Sequence, residues 1–161
     1  MGTRQRTHRK FLKSKDIRLL SSEAQDKLGR RLAGDTVEQE TLPGDVQLYL
    51  VKGKPELLRV RGRLVPSLSN NEALDTLPSV AVDMGAIPHV CNGADVMAPG
   101  IRRVNRDFDK DAVVVIRDER HGKALAIGIA LQGSEELKQT KKGKSIENLH
   151  FVGDELWEAY K

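Results

Sequence analysis

The sequence predicts an α+β protein with two domains, a small α+β domain over residues 1–77 and a β-rich domain over residues 78–161. Three observations support this prediction. The 161 residues suffice for one substantial domain or two small ones, and 39% of them are hydrophobic without forming a membrane-spanning run. Strand patterns bounded by turn residues occur in both halves. At Pro78 the chain leaves a short helical segment and enters a β-branched stretch, which places the domain boundary there.

The first half is predicted to contain a helix, a three-stranded meander and a second, short helix. The first helix runs from Ser21 to Leu32, with a serine cap and Gly34 after its end. Glycine-containing turns separate three apolar runs, which are predicted as strands at residues 45–51, 56–60 and 63–65. Residues 70–77 form the short helix, which ends before Pro78.

The second half is predicted to form a small barrel. Its two most apolar runs, residues 112–117 and 123–130, are rich in β-branched side chains and are joined by a hairpin connection that ends in glycine. Gly128 lies inside the second run, where we expect it to relieve crowding within the barrel; ligand contact is the alternative.

The C-terminal segment is predicted to alternate between helical turns and one strand. Ser134 is expected to cap a short turn over residues 135–137, and residues 149–152 give the final strand. Asp154 then starts a terminal helix through Trp157.

The basic charge is concentrated at the N-terminus. The formal net charge of +4 and the pI of about 9.3 favour acidic partners only weakly. Only Asp16 opposes the cations of this N-terminal arm, which are Arg4, Arg6, Arg9, Lys10, Lys13, Lys15 and Arg18. Such an arm suits phosphate contact of low sequence specificity. A solvated, partly disordered terminus explains it equally well.

Residues 82–101 form the most informative segment, VDMGAIPHVCNGADVMAPGI. Gly85, Gly93 and Gly100 permit a positive φ or a close approach to the backbone. A short helix over residues 86–91 would then lie between two glycine-bearing turns, with exposed backbone N–H groups suited to an anion or a sugar-phosphate.

The same segment resembles the signature of the PUA domain, an RNA-binding module named after pseudouridine synthases and archaeosine transglycosylases. The resemblance extends from about Val80 to the C-terminus and implies a PUA pseudo-β-barrel with two small helices. It also implies an RNA-contacting groove along the glycine-bearing helix and the loop after it. The residues that it places at or beside this groove are Gly85, Ala86, Gly93, Ala94, Val96, Met97, Pro99 and Gly100.

The residues after the groove segment extend the predicted RNA site. Met97 and Ile101 are suited to sugar or base faces, and Arg102, Arg103 and Arg106 to phosphates. For Met97 the alternative is core packing, and for the arginines a solvated strand edge. In an extended strand Arg102 and Arg103 point to opposite faces, so only one of them is expected to face the groove. A further basic cluster, Lys141, Lys142 and Lys144, is equally well explained as a surface loop.

The C-terminal run IENLHFVGDELW, residues 146–157, resembles the end of the malignant T-cell amplified sequence family of translation-associated proteins. The segment LVPSL of the first half, residues 64–68, fits the same layout. The resemblance implies a stand-alone, archaeal-like member that binds the acceptor end of tRNA, or rRNA on the small ribosomal subunit, in initiation, reinitiation or recycling. Members of this family pair with a translation-factor partner protein or carry its domain in one chain.

Catalytic and metal-dependent functions find little support in the sequence. The histidines His8, His89, His121 and His150 are scattered without metal-ligand spacing, so we expect no metal, no cofactor and no enzymatic activity. Asp83 and Asp95 are expected to accept backbone N–H groups, with acid and base catalysis as the alternative.

Cys91 is the only cysteine, so no internal disulfide can form, and we expect a small core residue here and not a nucleophile. No apolar stretch follows the basic N-terminus as a secretory signal requires, so a cytoplasmic location without a membrane partner is expected. Two alternatives to a translation role stay open: an RNA-binding accessory subunit of a tRNA- or rRNA-modifying enzyme, and a protein adaptor that uses the N-terminal half.

Overall fold

The computed structural model describes residues 8–160, so Arg4 and Arg6 of the predicted arm lie outside the described residues. The chain divides into two compact units, the first ending at Ser67 and the second starting at Leu68. The first unit combines a sheet with one helix and the second a sheet with several short helices, which confirms the predicted α+β class. The domain boundary at Pro78 stays a prediction. Within residues 8–160 no helix is long and apolar enough to cross a membrane.

The first unit is built on a five-stranded antiparallel sheet in the order β1-β2-β3-β4-β5. Its strands are β1 Arg9–Phe11, β2 Val37–Leu42, β3 Val46–Val51, β4 Lys54–Val60 and β5 Arg63–Pro66. Strands β3, β4 and β5 confirm the predicted meander. Strands β1 and β2 escaped prediction because they carry charged residues where a strand pattern would be apolar. Glu40 of β2 is nevertheless buried, with its carboxylate 3.4 Å from Nε of Arg9.

One long helix, α1 (Ser14–Leu28), packs against this sheet through Leu20, Ala24 and Leu28. The predicted helix over residues 21–32 is therefore wrong at both ends. Its serines lie inside the helix, because the apolar stripe at four-residue spacing begins before them. Arg59 of β4 donates to both carboxylate oxygens of Glu23 at 2.8 and 2.6 Å, which holds α1 on the sheet and lowers the pKa of Glu23.

The second unit contains a six-stranded sheet in the order β7-β11-β10-β9-β6-β8. Its strands are β6 Ser79–Val82, β7 Val96–Met97, β8 Ile101–Val104, β9 Val113–Asp118, β10 Ala124–Ala130 and β11 Lys144–Phe151. Only β6 and β9 pair in parallel; β9 and β10 form the predicted hairpin. β7 and β8 are the two ends of the sheet, yet only the 3₁₀ turn Ala98–Gly100 separates them along the chain. The sheet therefore curls into a half-barrel whose ends meet at this turn. We call β7, the turn and β8 the seam.

Four short helices accompany the half-barrel within the described part of the chain: α2 Asn71–Thr76, α3 Ile87–Val90, α4 Ser134–Gln139 and α5 Glu155–Tyr160. The predicted cap at Ser134 is wrong. Gly133 precedes α4, and the buried Ser134 hydroxyl accepts the backbone N–H of Phe108 at 3.0 Å. The final strand is longer than the predicted 149–152, because polar residues at its start hid the pattern. The predicted start of α5 is confirmed, since Oδ1 of Asp154 accepts the Trp157 N–H at 2.8 Å.

The centre of the half-barrel is packed so closely that position 128 has no room for a side chain. A Cβ on Gly128 would lie 2.2 Å from the carbonyl oxygen of Glu147 and 2.7 Å from Cγ2 of Ile146 on the neighbouring β11. The expectation that Gly128 relieves crowding in the barrel is therefore confirmed.

A buried histidine fixes the end of the second unit. The Leu68 N–H donates to Nε2 of His150 at 3.2 Å, so Nδ1 carries the proton and donates to Oδ2 of Asp154 at 2.6 Å. Both ring nitrogens are therefore engaged within the fold, as expected for a structural histidine. Burial alone would raise the pKa of Asp154, but the hydrogen bonds from His150 and from two backbone N–H groups outweigh it and lower that pKa.

Candidate nucleic-acid interface

Asp83 organises one side of the seam. Its backbone N–H donates to the carbonyl of Gly100 at 3.0 Å, and its Oδ1 accepts the Ala86 N–H at 2.9 Å. Its Oδ2 lies 3.3 Å from the guanidinium of Arg102. One carboxylate therefore begins the 3₁₀ turn Met84–Ala86, which precedes α3, and also orients an exposed arginine.

The three glycines of this segment have different structural roles. Gly93 has φ +92°, and a Cβ there would lie 3.1 Å from the ring of Phe151. Gly85 and Gly100 do not have positive φ. A Cβ on Gly85 would meet Oδ1 of Asp83 at 3.1 Å, and one on Gly100 would lie 3.7 Å from Cβ of Ala86. Close approach is thus confirmed at Gly85 and Gly93, and positive φ only at Gly93, whereas the neighbour of Gly100 lies at an ordinary van der Waals distance.

Asn148 of β11 holds the loop that follows α3. Its side-chain amide donates to the carbonyls of Val90 and Ala94, both at 3.0 Å, and its backbone N–H donates to Oδ1 of Asp95 at 2.9 Å. Oδ2 of Asp95 lies 3.3 Å from Nζ of Lys144. Asp83 and Asp95 thus both accept backbone N–H groups, as expected, and Asp95 additionally orients a lysine.

The predicted site residues differ in what they expose. Val96 is buried in the core, so its side chain is not accessible at the seam. Met97 is 46% exposed and does not pack in the core. The other exposed members are Gly85, Ala94, Pro99, Arg102 and Arg103. The half-buried members are Ala86, Gly93, Gly100 and Ile101.

A cleft of about 290 Å³ runs along the edge of β8 that faces no other strand, with α4 on its other side. Its apolar lining comes from Ala98, Ile101, Val104 and Leu137, and its polar lining from Arg102, Arg103, Lys138 and Thr140. Both arginines line it because the cleft follows the strand edge and not one face of the strand. Which of the two faces the groove predicted along α3 stays a prediction.

The two arginines are each held by an acceptor at the same end of the sheet. The guanidinium of Arg103 donates to the carbonyl of Glu119 at 2.9 Å, while Arg102 contacts Asp83. The Glu119 N–H donates to the carbonyl of Val82, which directly precedes Asp83, at 3.0 Å. Arg106, by contrast, donates to the carbonyl of Thr76 at 2.6 Å and does not line the cleft.

Sequence reasoning missed the contribution of α4 and placed the lysine cluster apart from the site. The Ala98 N–H donates to the carbonyl of Gly143 at 2.9 Å, and Lys144 pairs in register with Met97. The loop with Lys141 and Lys142 therefore borders the seam. The sequence signal available was the lysine cluster itself; nothing in its spacing indicated which strand it would adjoin.

The chemistry of these residues suits binding. Burial raises the pKa of the Cys91 thiol, which disfavours the nucleophilic thiolate. No three metal-ligating side chains come together anywhere in residues 8–160. The surface combines backbone, an apolar lining and positioned cations, an arrangement that fits phosphates and unpaired bases.

Comparison with known proteins identifies the second unit. The sequence profile of the PUA domain matches residues 78–152. A solved structure of a hypothetical protein from Pyrococcus horikoshii superposes with a TM-score of 0.81 at 28% identity, over 96% of this chain and all of that one.

Three curated relatives match the chain over different lengths. An uncharacterized protein of Methanocaldococcus jannaschii is 35% identical over 92% of this chain and 94% of its own length. Translation machinery-associated protein 20 of Saccharomyces cerevisiae is 40% identical over 70% of this chain and 66% of the yeast protein. Malignant T-cell-amplified sequence 1 of Rattus norvegicus is 36% identical over 50% of this chain and 46% of the rat protein.

Proposed function

We propose that this chain is a non-enzymatic protein that binds RNA at the seam. The proposal starts from its family: the chain belongs to the PUA-domain proteins of the malignant T-cell-amplified sequence and translation machinery-associated type. The bound RNA is the acceptor end of tRNA or a segment of rRNA on the small ribosomal subunit. The observation that carries this proposal is the cleft beside β8, where two positioned arginines border an apolar lining.

An unpaired RNA end requires two kinds of contact. Its bases need an apolar surface or a stacking partner, and its phosphates need cations or backbone N–H groups. The cleft offers the first through Ile101 and Leu137 and the second through Arg102, Arg103 and Lys138. The cleft volume of about 290 Å³ is near the lower end of the range for small-molecule sites, which suits a contact with a single nucleotide.

The acceptors behind the arginines reduce the cost of binding. A long side chain that is ordered only on binding loses rotamer freedom, whereas Arg102 and Arg103 already contact Asp83 and the Glu119 carbonyl. Asp83 uses one carboxylate oxygen for the Ala86 N–H, which leaves the other to orient Arg102. This arrangement supports recognition of a defined phosphate position in addition to general attraction.

The role in translation is proposed from the relatives. Two of them carry names that refer to the translation machinery or to the malignant T-cell-amplified sequence, and neither name describes an enzyme. We therefore propose action in initiation, reinitiation or recycling, with a cytoplasmic location and a translation-factor protein as a further partner. Co-sedimentation of the full chain with small ribosomal subunits tests this role. Co-purification with an RNA-modifying enzyme in place of the subunit would contradict it.

Isothermal titration of the full chain with tRNA tests the seam directly. We expect Arg102→Ala and Arg103→Ala each to weaken binding by about 1 to 3 kcal/mol, since both line the cleft. Arg106→Ala is the matched control, because this exposed arginine also donates to a carbonyl but lies outside the cleft. Equal losses in all three variants would indicate general attraction only, and unchanged binding in all three would contradict the proposed site.

A further inference from the structure

A second surface with the chemistry of an RNA contact lies in the first unit. Phe11 of β1 is 67% exposed, whereas Phe108 is 8% exposed and Phe151 is half-buried. An aromatic side chain that stays in water contributes little to the core of its own unit. Its position on the outermost strand of the sheet leaves its ring accessible.

The backbone beside Phe11 is accessible as well. The Leu12 N–H donates to the Val37 carbonyl, and the Thr41 N–H donates to the His8 carbonyl. Because the hydrogen bonds of an antiparallel pair alternate along the strand, the N–H and C=O groups of Arg9 and Phe11 point away from β2. The edge of β1 thus presents polar backbone groups next to an exposed ring.

Four exposed cations lie close to Phe11 along the chain and make no ion pair within residues 8–160: Lys10, Lys13, Lys15 and Arg18. Lys15 and Arg18 occupy one exposed side of α1, three residues apart. The carboxylates nearest in register are those of Glu38 and Glu40, and Arg9 lies 4.0 and 3.4 Å from them. Arg9 therefore offsets part of the negative charge next to Phe11, and the four other cations have no ion-pair partner within residues 8–160.

We propose that Phe11 and the cations around it form a second RNA contact, which takes an unpaired segment by stacking one base on the Phe11 ring. The inference rests on the proposed function in that it takes the chain to bind RNA, but it uses none of the seam residues. Exposed aromatics with interspersed cations bind single strands because every base has a π-face and every linkage a negative charge. An acidic peptide would use the same cations, yet it does not require a flat ring that extends into solvent.

Fluorescence anisotropy with a labelled twelve-nucleotide oligoadenylate, and with a duplex RNA of equal length, tests the stacking contact. We expect Phe11→Ala to weaken oligoadenylate binding by about tenfold and to leave duplex binding within about twofold. Phe11→Trp should preserve affinity, and its fluorescence, after subtraction of the Trp157 signal of the parent, should be quenched on binding. Leu19→Ala is the matched control, because Leu19 is 61% exposed in the same unit but is not aromatic.

The outcomes separate this contact from the seam. Phe11→Ala that binds oligoadenylate like the parent overturns the inference, even if Arg102→Ala with Arg103→Ala weakens tRNA binding as proposed. If Phe11→Ala loses oligoadenylate binding while the seam variants bind tRNA like the parent, the result supports the inference and contradicts the proposed RNA site at the seam. The inference is also overturned if Phe11→Ala and Leu19→Ala weaken the binding of an acidic peptide equally and leave RNA binding unchanged. An unchanged thermal unfolding midpoint establishes that each variant is folded.

Discussion

The two units of the chain present their cations in different ways. In the second unit Arg102, Arg103 and Lys144 are each held by an acceptor, at 3.3 Å from Asp83, 2.9 Å from the Glu119 carbonyl and 3.3 Å from Asp95. In the first unit the cations of residues 10–18 form no ion pair within the described part of the chain. We therefore expect the two proposed surfaces to bind a polyanion by different means.

The difference assigns separate tasks to the two surfaces. A cation held in place loses little freedom on binding, so its energy depends on where the phosphate lies. A free cation attracts any phosphate, and its contribution falls steeply with salt because bound counterions are released. The second unit should therefore discriminate between RNAs, and the first unit should add attraction with little preference. Four changes test this comparison in turn: to the packing of the second unit, to the predicted groove, to the acid-sensitive contact between Asp154 and His150, and to the unpaired cations of the first unit.

The largest expected effect comes from Gly128→Ala, which removes the fold that holds the second unit's cations. The added Cβ would lie 2.2 Å from the Glu147 carbonyl oxygen, so β10 and β11 must separate. We expect the free energy of unfolding in urea to fall by about 3 kcal/mol or more. Gly62→Ala in the first unit, where nothing lies within 4 Å, should cost about 1 kcal/mol. Equal losses would contradict the packing described for β10 and β11.

Gly93→Val should disrupt the RNA-contacting groove predicted along α3 and the loop after it, while leaving most of the fold intact. Its φ of +92° strains a β-branched residue by about 1 to 3 kcal/mol, and its side chain would push against the Phe151 ring. At matched folded fraction we expect tRNA binding to be lost. Gly153→Val is the control, because φ there is +97° but nothing lies within 4 Å. A folded Gly93→Val protein that binds tRNA like the parent would remove the groove from the site.

Acid should weaken the second unit through Asp154. Because its pKa is lowered in the fold, its stabilisation is complete above the ordinary value near 4 and is lost as pH falls through the folded value. Asp154→Asn should cost about 1 kcal/mol at pH 7 and flatten the decline in stability below about pH 4. The fluorescence of Trp157, the only tryptophan, reports unfolding in urea and so gives the free energy of unfolding at each pH. Glu155→Gln is the control, because it removes the same charge. An identical dependence of stability on pH in both variants would contradict the role of the Asp154–His150 contact.

The smallest effect on the choice between RNAs is expected from the free cations of the first unit. Replacing Lys10, Lys13, Lys15 and Arg18 with glutamine should reduce the slope of log affinity against log salt by about 2 to 3. Preference between RNAs should not change, because these side chains have no fixed geometry. Filter binding across a salt series measures both quantities. An unchanged slope, or a changed preference, would contradict the assignment of general attraction to this surface.

Local patterns predicted much of the fold. The meander and the hairpin of β9 and β10 were predictable because continuous apolar runs ended at glycine turns. Strands β1 and β2 were not, since Glu40 is buried through a cross-strand contact with Arg9 that no local pattern reveals. The helix start failed for a related reason, because serine residues inside α1 resemble caps when packing on the sheet is unknown.

The sequence predicted the features of the candidate site that lie within one segment of the chain, but not those that the fold brings together from distant segments. The glycines and the aspartates of residues 82–101 indicated backbone approach and N–H acceptance, and both occur. The cleft depends on Leu137, Lys138 and Thr140, which reach β8 only because the sheet curls. Strand alternation separates neighbouring side chains, but it could not predict a cleft at a strand edge, which both Arg102 and Arg103 line.

The central claim is that the seam discriminates an RNA end. Titration of the parent and of the Arg102→Ala, Arg103→Ala double variant, at one salt concentration, with intact tRNA and with tRNA lacking its 3′ terminal nucleotides, tests it most directly. We predict that trimming weakens binding to the parent by at least about tenfold, as loss of one or two good contacts requires, and has little effect on the double variant. Equal affinity of the parent for intact and trimmed tRNA would contradict acceptor-end recognition.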